Sequence, residues 1–369
     1  MKKIAMKKTP DLILLLAIIA LVSLGSLMLV SASSVLGLDL HNDPYFFVRH
    51  QLYYGILPGL FLLIVTMFVP YTFWRRAVVP ILVGVVILLL MVFVPQFQMS
   101  YGGASRWVRL GFISVQPAEF AKLAVILYLA ALFSSREEKH GHVHDTLIPF
   151  LIVVGLIGFL IIKQPDIGTL VVVTSASLII YYLAGASWKH LWMVIGGGLG
   201  TLIVLIRLAP YRMARFTTFL HPELDPKGIG YQVHQALLAV GSGGIWGLGF
   251  GRSRQKFRYL PEPAGDSIFA IASEELGFLR ISILLSLYIF IIIRGYQIAR
   301  KAPDMFSKLV AGGITSWFFV QAVVHIGANL SIFPLTGIPL PLVSYGGSAI
   351  VITLVGAGIL LNISRYSND

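Results

Sequence analysis

Ionisable side chains inside apolar stretches are expensive in a bilayer, so they are where chemistry is sought first. Asp266 opens one such stretch, with Glu274 and Glu275 one to three turns further in. Glu119 and Lys122, three apart, share one face of a second. Asp166, in Lys163-Gln164-Pro165-Asp166, opens a third. Arg106 and Arg109 stand just before the Glu119 stretch, and Arg207 lies near the end of another. The segment 210–266 carries Arg212, Arg215, Lys227, Arg252, Arg254, Lys256 and Arg258. Plainer readings exist for each: an ion pair holding two helices, a helix N-cap at Asp166, a solvated basic face. Taken together, carboxylates and guanidinium groups at membrane depth suit an anionic, lipid-linked substrate, because guanidinium binds phosphate oxygens bidentately.

Apolar helices must position these groups. Only 12% of the 369 residues are charged and 57% are hydrophobic, against about 25% and 45–50% in soluble domains. That excludes a soluble globular enzyme and a disordered chain. A bilayer core of about 30 Å needs roughly 17–25 apolar residues per helix. Ten stretches qualify: 12–32, 46–69, 77–95, 116–133, 147–162, 167–184, 190–209, 267–293, 307–333 and 343–363. The first is too long for a signal-peptide core and reads as a retained span. The expected fold is therefore an all-α integral membrane protein of ten transmembrane helices, forming a single domain over 1–369.

Ten spans place both termini on one side. Lys2, Lys3, Lys7, Lys8, Arg75, Arg76, Arg294, Arg300 and Lys301 mark that side as the cytoplasm. The large loop 210–266, between helices seven and eight, then lies outside, since long loops are translocated regardless of charge. The ionisable groups above come from different helices yet all fall in the outer half of the membrane. Structural ion pairs would scatter across both leaflets, so a polar chamber open to the exterior is the better account. The net charge of +12 reports orientation and this chamber, and carries no nucleic-acid signal.

Several chemistries are excluded. With no Cys there are no disulfides, thiolate metal sites or Cys nucleophiles. Gly247-Leu248-Gly249-Phe250-Gly251 matches neither the dinucleotide fingerprint nor the P-loop. Gly196-Gly197-Gly198, Gly241-Ser242-Gly243-Gly244 and Gly346-Gly347 are read as close helix packing. His140, His142 and His144 with Asp145 read as a solvated cytoplasmic loop. No nucleophile elbow or zinc-protease motif occurs.

The motifs Arg106-Trp107, Gln116-Pro117-Ala118-Glu119-Phe120-Ala121-Lys122 and Gln164-Pro165-Asp166-Ile167-Gly168-Thr169 resemble the SEDS family (shape, elongation, division and sporulation). So do Gly230-Tyr231-Gln232, Gln235, Tyr259-Leu260-Pro261-Glu262, Asp266-Ser267-Ile268-Phe269-Ala270, Glu274-Glu275-Leu276-Gly277 and Pro339-Leu340-Pro341-Leu342-Val343-Ser344-Tyr345-Gly346-Gly347-Ser348. Thr336-Gly337-Ile338-Pro339 leans toward the family's elongation members, but Arg254-Gln255-Lys256-Phe257 looks more like its division members, which are favoured. Pro263-Ala264-Gly265 departs from the His-Thr that many members carry before the Asp.

The resemblance implies a multi-pass protein of the cytoplasmic membrane, at the septum or lateral wall. It implies a peptidoglycan glycosyltransferase that polymerises lipid II on the outer face and works with a class B penicillin-binding transpeptidase and other division or elongation membrane proteins. It also implies that Asp266 matches the family's essential acidic residue. A 4-hydroxyl attacking an anomeric carbon wants a base, for which Asp266 is the candidate. The expected substrate-binding residues are Arg106, Arg109, Glu119, Lys122, Lys163, Gln164, Asp166, Arg212, Arg215, Gln232, Gln235, Glu262, Glu274 and Ser344. A divalent cation, Mg or Mn, bridging carboxylate and pyrophosphate would serve the leaving group, although no ligand spacing is diagnostic. The alternatives are a lipid II flippase and a scaffold that recruits the transpeptidase. Sites on one side of the membrane count against the first, and chamber carboxylates against the second.

Overall fold

In the computed structural model the described residues are 8–367, except 102, 103, 112, 137–142, 209, 222, 223, 226 and 227. His140, His142 and Lys227 lie outside them. Helices dominate: α1 (Leu12–His41), α2 (Phe46–Gln51), α3 (Leu57–Phe68), α4 (Tyr71–Met91), α5 (Pro117–Ser134), α6 (Ile148–Lys163) and α7 (Ile167–Leu183). They continue as α8 (Trp188–Leu208), α9 (Pro210–Leu220), α10 (Ile229–Ser242), α11 (Ile268–Arg300), α12 (Met305–Asn329) and α13 (Gly347–Ser364). A π-helical turn, Leu52–Ile56, joins α2 to α3, so Phe46–Phe68 runs as one span. Among the described residues nine helical segments are long and apolar enough to cross a membrane, and α7, at 17 residues, is a shorter apolar helix. Each of the ten apolar stretches thus holds a helix.

Two loops carry more structure than their sequences suggest. Within 96–115, β1 (Gln98–Tyr101), β2 (Ala104–Leu110) and β3 (Ile113–Val115) form an antiparallel sheet in the order β1-β2-β3. Its register pairs Val108 with Val115 and Arg109 with Ser114. The large loop 210–266 contains α9 and α10, and its 244–255 segment is folded against α11.

The centre of the bundle is α5, α12 and α13, whose apolar windows are largely buried. Trp317, Tyr181, Phe133 and Phe150 are fully enclosed, and Tyr181, Phe133 and Phe150 form a triangle of rings, with Tyr181 at centroid distances of 5.1 and 5.0 Å from the two Phe. Small residues admit close approach where lipid supplies no hydrophobic drive between helices. A Cβ on Gly25 would meet the Val343 backbone, and one on Gly358 would meet Leu63 and Thr66. The Gly196-Gly197-Gly198 run does not serve this purpose: nothing lies near these glycines, because α8 stands off the bundle with its sides exposed. Both chain ends meet on one side, where Lys8 N donates to Arg365 O (2.9 Å) and Asp11 N to Ser364 Oγ (3.0 Å).

Candidate active site

Asp266 sits in the irregular turn just before α11, and three other segments fix that turn through its backbone. Asn329, at the end of α12, donates Nδ2–H to Asp266 O (2.9 Å). Ser344 Oγ donates to Gly265 O (2.8 Å), and Tyr345 N donates to Ala264 O (3.0 Å). From α10, Gln232 Nε2 donates to Ser267 Oγ (3.4 Å), which itself donates to Pro261 O (2.9 Å). Backbone bonds consume the peptide groups and leave the Asp266 carboxyl for other work. Gly337, at φ +71°, lets the 336–341 segment pass beside it: a Cβ there would lie 3.2 Å from Asp266 Oδ2.

The electrostatics of Asp266 are mixed. Burial raises its pKa most and the neighbouring Glu262 carboxylate raises it further, against the lowering effect of Arg106 and Arg215; Asp166 adds a smaller rise. Its pKa is pushed up to about 6. Burial therefore prevails over the cations, a balance that composition alone leaves open. A carboxylate with that pKa is a stronger base than a solvated one and is still mostly ionised near neutral pH.

The cations divide by their contacts. Arg106, on β2, donates from Nη2 to Pro165 O (2.6 Å) and from Nε to Gln164 O (3.3 Å), tying the sheet to the hairpin before α7. Arg109, three residues on along the same strand, is exposed and pairs across the sheet with Ser114. Lys163 is exposed over the Phe159 ring. Arg212 anchors α9 by donating to Leu205 O (3.2 Å) and Ile162 O (3.3 Å). Arg215 is exposed, donates to Leu335 O (3.5 Å) and is the second cation felt by Asp266.

Asp166 caps α7, accepting from Thr169 N (3.0 Å) and Thr169 Oγ1 (2.9 Å), with Gln116 Nε2 at 3.5 Å. Gln164 donates to Leu89 O (3.2 Å), while its Oε1 is buried without a partner. Glu119 and Lys122 form a buried ion pair at 2.7 Å. Lys122 Nζ also donates to Gln321 Oε1 (2.8 Å) and lies 5.2 Å from the Trp317 ring centroid. Gln321 Nε2 in turn donates to Pro339 O (2.8 Å), and His325 Nδ1 lies 2.8 Å from Ile338 O. A polar chain therefore runs from α5 through α12 to the segment beside Asp266. Gln321, His325 and Asn329 were not singled out from sequence, although their spacing of four places them on one face of an apolar helix.

Glu274 is placed elsewhere than the chamber. Ser253 Oγ donates to its Oε2 (2.5 Å), Arg254 N to its Oε1 (3.1 Å) and Gln255 N to its Oε2 (3.4 Å). Glu275 likewise accepts from Gly251 N (3.0 Å), Ser253 N (3.1 Å) and Ser31 Oγ (2.5 Å), with Lys256 Nζ at 3.4 Å. These carboxylates anchor the 251–256 turn, because several converging backbone N–H groups hold an ionised carboxylate strongly. Gln235 lies one turn beyond Gln232 on α10, half-buried. Among the described residues no group of three or more His, Asp or Glu converges to hold a metal ion.

These features define a polytopic membrane protein with a polar site gathered around Asp266, at the start of α11. The chain belongs to the cell cycle protein family of FtsW, RodA and SpoVE, whose pattern it matches over residues 11–369. It is 39% identical over 361 residues to the stage V sporulation protein E of Bacillus subtilis (strain 168), covering 98% of each chain. It is 40% identical over 357 residues to the probable peptidoglycan glycosyltransferase FtsW of Escherichia coli O6:H1, covering 96% of this chain and 85% of that one. Its fold superposes on the crystal structure of the Thermus thermophilus rod shape determining protein RodA with a TM-score of 0.72 and 28% identity, covering 98% of each chain. A chain of a peptidoglycan synthase complex that coordinates polymerization and crosslinking superposes with a TM-score of 0.79 and 28% identity, covering 96% of this chain and 98% of that one.

Proposed function

We propose that this protein is a peptidoglycan glycosyltransferase acting on the outer face of the cytoplasmic membrane. The observation that carries the reading is Asp266: a single basic carboxylate, its backbone fixed by α10, α12 and the 339–345 segment, with Arg106 and Arg215 acting on it. In the reaction the 4-hydroxyl of one lipid II disaccharide attacks the anomeric carbon of another. The new C–O bond forms as the bond from that carbon to the pyrophosphate oxygen breaks. Asp266 takes the hydroxyl proton, and undecaprenyl pyrophosphate leaves with its charge compensated by Arg106 and Arg215. The buried Oε1 atoms of Gln164 and Glu119, which have no partner, are sites where substrate hydroxyls or water satisfy the chamber.

A divalent cation, Mg or Mn, would be held by Asp266 together with Glu262, whose carboxylate acts on it. Held there, it would neutralise pyrophosphate oxygens, which would supply most of its ligands. The likeness to a peptidoglycan synthase complex supports a class B penicillin-binding transpeptidase as partner, at the septum or the lateral wall.

The test is lipid II polymerisation by the purified protein, with and without the transpeptidase. Asp266→Asn should lose at least about 10²-fold in rate. A normally folded variant that polymerises like wild type overturns the base assignment. Robust lipid II reorientation in proteoliposomes with no polymer formed would instead establish the flippase.

A further inference from the structure

On the outside of the bundle, away from Asp266, α1 and α11 leave an apolar groove of about 450 Å³ lined by Leu24, Leu27, Phe250, Ile283 and Leu284. Arg280 is the one ionisable residue among those lining it. It lies fourteen positions from Arg294, so a regular helix places it roughly 21 Å above the Arg294–Asp11 pair that marks the opposite face. That is the depth of the outer leaflet, from which a long side chain reaches the headgroups. Around it Trp246, Phe250 and Phe278 are 66%, 53% and 70% exposed, and Trp is a residue type that settles at a membrane interface.

Arg280 donates from Nη1 to Trp246 O (3.0 Å), and no carboxylate among the described residues pairs with it. A guanidinium facing lipid needs an anion. The groove walls are large aliphatic side chains, unlike the small residues that seat a second helix. We propose that this groove binds one anionic phospholipid of the outer leaflet, with its phosphate on Arg280 and an acyl chain along Leu24, Leu27 and Ile283. The bound headgroup rests on the 244–251 turn, which continues directly into the 251–256 segment anchored by Glu274 and Glu275.

Trp246 is the natural reporter. In vesicles containing brominated phosphatidylglycerol or brominated phosphatidylcholine, its quenching is obtained by difference from Trp246→Phe, since the chain has six Trp. The expected result is about a fivefold preference for the anionic lipid, the effect of one Arg at a charged interface. The preference is lost in Arg280→Gln and kept in Arg280→Lys. Equal quenching by the two lipids in the wild type overturns the proposal, as does a preference that survives Arg280→Gln. Absence of quenching by either lipid also overturns it, because that is the signature of a protein helix seated in the groove. The wild-type comparison needs no variant and stands even if Arg280→Gln fails to fold.

Discussion

Asp266 illustrates what a neighbourhood does to one carboxyl group. Its pKa, pushed up to about 6 by burial and by Glu262, predicts an acid limb in the pH dependence of polymerisation. A base works only when ionised, so with Asp266 in the proposed role kcat/KM should fall as pH drops through about 6. Glu262→Gln removes a negative neighbour and should move that limb to lower pH. Arg106→Gln removes a positive one and should move it to higher pH. Opposite displacements are the decisive readout, since a general loss of packing would lower rates without moving the limb in opposite directions. The candidate base and the Glu119–Lys122 pair were legible because charge in an apolar stretch is visible in sequence. The destination of Glu274 was not: sequence gives a residue's depth along a helix but not which neighbour its side chain meets, here the Ser253 hydroxyl and the backbone of 254–255.

Among the elements, α11 carries the feature that periodicity hides. Its axis breaks at Gly277, with φ 72° and ψ 176°, and the 244–249 turn occupies the gap. Leu248 N donates to Glu274 O (3.0 Å) and Gly249 N to Glu275 O (3.0 Å), while Phe278 N donates to Gly244 O (2.8 Å). That backbone conformation is essentially confined to glycine. A Cβ on Gly277 would also strike the backbone of Trp246 and Gly247. Gly277→Ala should therefore destabilise by more than the 1–3 kcal/mol typical of a strained residue, seen as a lower Tm and faster proteolysis within 244–256. Gly241→Ala, where nothing lies near the added carbon, should leave both unchanged; equal effects from the two would refute the argument. The apolar pattern continues across the break and reads as one long helix, because periodicity records burial and not hydrogen bonding. The β1–β3 sheet and α9 were hidden for a related reason: short elements in an outer loop take their stability from the helices beneath them.

For the whole molecule, charge sidedness and the neighbouring chain ends agree: the termini meet at the Lys8–Arg365 and Asp11–Ser364 contacts. A chain without Cys makes the topology directly measurable. A membrane-impermeant maleimide should label Leu224→Cys in intact cells, and should label Lys301→Cys only after permeabilisation; the reverse pattern would invert the orientation. The solvent, the apolar stretches, the side each loop prefers and the identity of the candidate base follow from the sequence by itself. Transfer to lipid and charge retention are sums over neighbouring residues, so a linear reading captures them. Only the tertiary structure decided which groups share a site, since Asn329 holds the Asp266 carbonyl from 63 positions away and Ser344 holds that of Gly265 from 79. It also decided that α8 stands apart and that burial prevails over nearby cations at Asp266. Those outcomes depend on which distant side chains come within a few ångströms of one another, where Coulomb and desolvation energies become large.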